Sequence, residues 1–138
     1  MKTIYSQALL AFFMLHFSSI LAQSQTIDFT LLSDNVEVAG NDTPLVSTIK
    51  KTGNTLTWTQ YSNGTATSVT HFTITQSSGN WNAETSRGNI NYTTLIEGYR
   101  GNLALQGQES SITAVLTLMI SDTHQEKYSF VINSITYP

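Results

Sequence analysis

The chain has 138 residues, of which 40% are hydrophobic and 11% are charged, with a net charge of −3 and no cysteine. This composition is too apolar for a disordered chain, and the acidic balance argues against nucleic-acid binding, which needs basic residues to neutralise phosphates. The lack of cysteine excludes disulfides, zinc–thiolate sites, iron–sulfur clusters and thiol catalysis.

Residues 1–22 have the pattern of a secretory signal peptide. Lys2 precedes a short apolar run at residues 8–15, and small residues follow near Ala22 and Ser24. A charged start, a short apolar segment and small residues at the cleavage point are typical of such peptides, and the run is too short to span a bilayer. We expect cleavage after Ala22 or after Ser24, and a secreted or periplasmic product without a membrane attachment. Residues 23–138 then form one domain.

The first predicted strands are short and bounded by polar turn clusters. Residues 26–31 alternate polar with apolar side chains and end at a predicted turn at 33–35. A short alternating pair at 36–38, a turn at 40–42 and a strand at 45–49 follow, and the polar run at 50–54 predicts the turn that closes this strand. The clearest alternation lies at 55–61, where the apolar side chains share one face and three threonines share the other. This pattern predicts a strand with one solvent-exposed face.

A hairpin turn is predicted at Asn63-Gly64, because this pair readily adopts the positive φ angles of a type I′ turn. The next strand covers 68–75, and the cluster at 77–80 predicts another turn before a short strand around Trp81. Further strands are expected at 90–96 and 103–105.

The last third of the domain contains a segment, 111–120, whose apolar positions fit a helical stripe and a strand face equally well. Its β-branched content favours a strand. Residues 127–137 resemble a returning strand, so we expect a long C-terminal hairpin. Both strands are apolar on both faces in their middles, which predicts a central position covered on each side.

These elements predict an all-β domain, a single antiparallel β-sandwich or barrel of about eight strands. Turn signals recur about every 8–12 residues, as such folds require. No repeat with a longer period supports a propeller or solenoid.

Few residues after the signal peptide could support catalysis. His71 and His124 are the only histidines there, and His71 fits a strand at the edge of the core or on the exposed face. Asp122, His124 and Glu126 alternate across a predicted loop and could converge on a metal, although a solvated turn is the simpler interpretation. No nucleophile elbow or phosphate-binding glycine loop is present. We expect no cofactor and favour a non-catalytic protein.

Aromatic residues near polar turns suggest a binding role. Tyr61, Trp81, Tyr92 and Tyr99 lie close to asparagine, glycine and threonine, and flat rings beside such groups suit a carbohydrate, peptide or protein ligand. We expect these rings to be exposed, and we therefore predict an exported binding or surface-interaction module that uses all four. The alternative is a small extracytoplasmic enzyme or an inhibitor-like protein with a polar loop site.

Overall fold

The computed structural model describes residues 26–138, so the predicted signal peptide and both cleavage points lie outside the described residues. The described chain contains nine strands: β1 (Phe29–Val38), β2 (Asn41–Thr52), β3 (Thr55–Ser62), β4 (Thr65–Asn82), β5 (Arg87–Ile96), β6 (Tyr99–Gly107), β7 (Ile112–Ser121), β8 (His124–Ile132) and β9 (Ser134–Thr136). Within this part of the chain, no helix is long and apolar enough to cross a membrane.

The strands form a closed barrel. Each strand from β1 to β8 pairs antiparallel with the next, and β8 pairs with β1, so the eight strands close on themselves. The short β9 pairs antiparallel with the start of β1 as an extra strand. The predicted all-β antiparallel fold is confirmed, and of the two expected architectures the structure has the barrel. An eight-stranded barrel is just wide enough for side chains to fill it, or for one small ligand beside them.

Side chains alternate between the barrel interior and its outer surface. In β3, Leu56 and Trp58 are buried while Thr55, Thr57 and Thr59 lie on the other face, which confirms the predicted one-sided strand. Trp58 packs against Tyr128 and Phe130, with ring centroids 5.1 and 5.6 Å away. The interior is therefore filled by apolar and aromatic side chains along most of its length.

The predicted hairpin at Asn63-Gly64 is confirmed. Both residues have positive φ angles, 51° and 77°, and they join β3 to β4. Positive φ at both central residues is the signature of the type I′ turn, whose twist matches the flanking strands.

Two predicted turns are wrong, because the chain continues as strand through both. The cluster at 33–35 is a β-bulge within β1, where the register with β2 shifts between Ser33 and Asn35. The cluster at 77–80 lies inside the 18-residue strand β4. There Gly79 has a φ of 102°, and a side chain at this position would collide with the Asn89 carbonyl oxygen. Glycine here permits a close approach of two strands and does not turn the chain.

The ambiguous segment at 111–120 is a strand, as its β-branched residues indicated. The expectation of a hairpin covered on both sides is wrong, because Val131 is 62% exposed and Ile120 is 42% exposed. In a barrel only the inner face of each strand is covered. The returning strand is also interrupted at Asn133, whose backbone N–H donates to the Leu32 carbonyl before β9 begins.

Candidate functional site

The barrel has two chemically different ends. In an up-and-down barrel, alternate turns lie at alternate ends, so the turns at 53–54, 83–86 and 108–111 share one end with residues 26–28 and the segment after β8. We call this end the mouth. The turns at 39–40, 63–64, 97–98 and 122–123 lie at the opposite end.

A cavity of about 500 Å³ opens at the mouth. Its polar lining includes Asp28, Lys51, Asn54 and Ser77, and its apolar lining includes Ile27, Ile74, Tyr92 and Tyr137. Small-molecule sites have volumes of about 300–1,000 Å³ and combine mostly apolar walls with a few convergent polar groups. The mouth cavity has the size and lining of such a site.

Lys51 provides a cation in the cavity wall. It lies in phase with the inward-facing Ser47 and Ile49 of β2 and is only 5% exposed. Its Nζ lies 3.1 Å from Oδ1 of Asp28, and the same oxygen accepts a hydrogen bond from the Gly53 backbone N–H at 3.0 Å. These hydrogen bonds, first from Lys51 and then from Gly53, hold the pKa of Asp28 below its ordinary value. The ammonium and the backbone N–H together form an anion-binding pair that Asp28 occupies.

Tyr92 is a buried wall of the same cavity. It projects inward from β5, is 1% exposed and packs against Phe29, with ring centroids 6.0 Å apart. The Lys51 ammonium lies 5.7 Å from the centre of its ring, within the range of a cation–π interaction. Among residues 26–138, the buried Tyr92 hydroxyl has no hydrogen-bond partner. Burial, and then the negative charge of Asp28, raise the pKa of Tyr92 to about 12.

The rim of the mouth is held by side-chain hydrogen bonds between the end of β4, the turn after it and the C-terminal segment. The Trp81 Nε1 donates to the Tyr137 hydroxyl at 2.9 Å, and the Ser86 and Tyr137 hydroxyls lie 2.9 Å apart. Trp81 is opposite Gly88 in β4–β5 pairing, and its ring lies over Gly107. This packing closes one side of the mouth and fixes Tyr137 beside the cavity.

The raised tyrosine pKa values predict a loss of stability at alkaline pH. The pKa is about 12 for both Tyr92 and Tyr128, against 10.0 for an ordinary tyrosine. Between pH 10 and pH 12 the unfolded tyrosines ionise while the folded ones stay neutral, so the stabilisation present below pH 10 is lost over this interval. Urea unfolding across this range should show a falling free energy of unfolding, and Tyr92→Phe and Tyr128→Phe should each flatten the fall. If the free energy of unfolding of Tyr92→Phe falls with pH as steeply as that of the unaltered protein, the raised pKa of Tyr92 is contradicted.

The structure does not bring the four predicted ligand-binding rings together. Tyr99 is 51% exposed and begins β6 at the opposite end, and Tyr61 is half-buried near the turn at 63–64, also at that end. Trp81 and Tyr92 are 2% and 1% exposed, so the expectation of four exposed rings is wrong for these two. Both side chains point into the barrel, and because the barrel is closed, its interior is the buried core. Tyr92 nevertheless lines the mouth cavity.

The candidate loop and histidine sites do not assemble. Among the described residues, no group of three or more histidine, cysteine, aspartate or glutamate side chains could hold a metal. Glu126 accepts a hydrogen bond from the Tyr128 hydroxyl at 2.7 Å, while Asp122 and His124 are exposed. His71 lies on the exposed outer face, where its Nδ1 is 3.1 Å from the Thr57 hydroxyl.

Lys51 and Asp28 were not among the candidate residues predicted from the sequence. The polar run at 50–54 indicated a turn, and the turn itself occupies only 53–54. The signal that could have identified Lys51 is its phase, because Ser47, Ile49 and Lys51 alternate along one face of β2. No local pattern brings Asp28 to Lys51, since the two meet only through β1–β2 pairing.

Comparison with protein-family models gives no match to this chain. Comparison with curated proteins gives no significant match either. We therefore infer function from the geometry of the mouth cavity.

Proposed function

We propose that the protein is an exported, non-catalytic binding protein that holds a small organic molecule in the mouth cavity. This proposal keeps the binding role predicted from the sequence and moves its site from exposed aromatic rings to the barrel interior. Of the ligand classes first considered, a small molecule such as a single sugar fits a cavity of about 500 Å³, whereas a folded protein does not.

The observation that supports binding most directly is the Tyr92 hydroxyl. Tyr92 lines the cavity, and its buried hydroxyl has no hydrogen-bond partner within residues 26–138. An unsatisfied buried polar group costs about 1–3 kcal/mol, and native proteins keep few of them. A ligand that hydrogen-bonds this hydroxyl would recover that cost.

Lys51 supports the same conclusion. Lysine is almost never fully buried unless it is paired, and an ion pair whose carboxylate is partly exposed, as in Asp28, contributes little stability. The pair with Asp28 is therefore poorly explained by stability alone. Its position in the cavity wall, at 5% exposure, is explained by recognition of a polar ligand group.

Small-molecule binding can be tested by NMR with compounds of different charge. The panel contains phenylacetamide, phenylacetate, 2-phenylethylamine and glucose. We expect at least one compound to shift the backbone amide signals of Ile27, Ile74 and Tyr92, which line the cavity.

Two tryptophan variants of one turn provide the matched control. Ala83 and Thr85 are both exposed in this turn, and Ala83 lines the cavity whereas Thr85 does not. Ala83→Trp should fill the cavity and abolish the shifts, and Thr85→Trp should preserve them. If no compound shifts the cavity signals, or if Ala83→Trp leaves the shifts unchanged, the proposed function is wrong.

A further inference from the structure

We infer that the mouth cavity takes a small organic carboxylate, and that Asp28 occupies the carboxylate position until the ligand displaces it. This inference rests on the proposed function and specifies its ligand class. It makes Asp28 an internal competitor for the site.

The anion-binding pair is built from groups that the fold holds in place. Lys51 lies in the paired part of β2, opposite Phe29 and Leu56, and its side chain is almost fully buried. The Gly53 N–H belongs to the tight turn that follows β2. An ammonium and a backbone N–H that converge on one oxygen form charge-assisted hydrogen bonds, which are shorter and stronger than neutral ones.

Asp28, in contrast, is held by little else. It precedes β1, in residues 26–28 that pair with no strand, and its side chain is 38% exposed. Within residues 26–138, its side chain accepts hydrogen bonds from Lys51 and from the Gly53 backbone N–H. Asp28 and Lys51 line both the mouth cavity and a second recess of about 330 Å³, so the carboxylate has space to move.

The remaining cavity wall suits the rest of such a ligand. Ile27, Ile74 and Tyr137 give it apolar surface, and Tyr92, whose ring centre lies 5.7 Å from the Lys51 ammonium, adds an aromatic face and a hydroxyl. A carboxylate attached to a small apolar body matches both parts. A neutral ligand would leave the Asp28–Lys51 pair in place and use only the outer part of the cavity.

The test compares phenylacetate with phenylacetamide, which have the same size and shape and differ in charge. In Asp28→Asn the competitor is neutral, so phenylacetate should bind about tenfold more tightly, whereas phenylacetamide affinity should change less than about twofold. Adding Lys51→Met to this variant should reverse the gain. Asp34→Asn removes an exposed carboxylate elsewhere on β1 and should leave both affinities unchanged.

A measurement on the unaltered protein covers the case in which Asp28→Asn folds poorly. Saturation with phenylacetate should change the carboxyl ¹³C signal of Asp28, because its hydrogen bonds to Lys51 and Gly53 break, and phenylacetamide should not change it.

Equal effects of Asp28→Asn on the two compounds, or no effect on phenylacetate, would overturn the carboxylate inference. If phenylacetamide still binds in a manner that Ala83→Trp abolishes, the proposed function survives that result. If no compound of the panel binds either the unaltered protein or Asp28→Asn, both proposals fall.

Discussion

Replacing Gly107 with alanine is expected to lower the free energy of unfolding by about 3 kcal/mol, at the upper end of overpacking effects. Gly107 points into the barrel from β6, where a Cβ would collide with the Ser86 carbonyl oxygen and lie 2.5 Å from the Trp81 ring. A backbone oxygen and a rigid indole cannot both move aside without disturbing the turn at 83–86. Urea unfolding followed by fluorescence measures the change.

Gly101→Ala is the matched control, because Gly101 lies on the same strand and also faces inward. A Cβ there would lie 2.8 Å from the Thr94 hydroxyl and 3.1 Å from both a Leu118 methyl and the Thr117 carbonyl oxygen. The shortest contact is with a side-chain atom that can rotate away, and the backbone contact is much less close than that at Gly107, so we expect a loss of about 1 kcal/mol. Equal losses in the two variants would show that the approach of Trp81 and Ser86 to Gly107 does not constrain the rim of the mouth.

Much of the barrel could be predicted because local chemistry and tertiary packing agree along its strands. In β3 the two-residue alternation places Leu56 and Trp58 on the same face, and this result does not depend on the neighbouring strands. The Asn63-Gly64 turn depends only on two residues that tolerate positive φ. The β-branched residues of β7 favour an extended chain over a helix.

Glycine and small polar residues gave wrong turn predictions where tertiary contacts determine the conformation. Gly79 is required because Asn89 of β5 approaches it closely, and Ser33 marks a bulge that bends β1. A turn and a bulge both use residues that tolerate unusual backbone angles. Composition alone therefore does not distinguish them, and the long strand β4 was divided in two.

The site was less predictable than the fold because it depends on strand register and on closure of the barrel. The register of the β1–β2 hairpin places Asp28 beside Lys51, and local composition does not determine this register. Closure of the barrel by β8–β1 pairing buries Trp81 and Tyr92, whose position near polar turns had suggested exposed rings. Alternation predicts which residues share a face. Whether that face is enclosed by eight strands depends on the long-range strand pairing, which alternation does not predict.

Trp58→Ala should lower the free energy of unfolding by about 3–5 kcal/mol, because removing a large buried aromatic side chain leaves a cavity that the barrel cannot fill. Trp58 is 7% exposed and contacts the rings of Tyr128 and Phe130, the latter in an edge-to-face arrangement with planes at 84°. Both contacts would be lost. Urea unfolding at neutral pH measures the change, and retained β-sheet circular dichroism would show that the variant still folds.

Trp58→Phe separates ring packing from the polar atom of the indole. The Trp58 Nε1 is buried and has no hydrogen-bond partner among residues 26–138. Phenylalanine loses part of the ring volume, which destabilises the barrel, and removes an unsatisfied donor that costs about 1–3 kcal/mol. We expect these effects to offset each other to within about 1 kcal/mol. A loss as large as that of Trp58→Ala would mean that the indole N–H contributes a favourable interaction, and the account of this core as packed by ring contacts alone would be wrong.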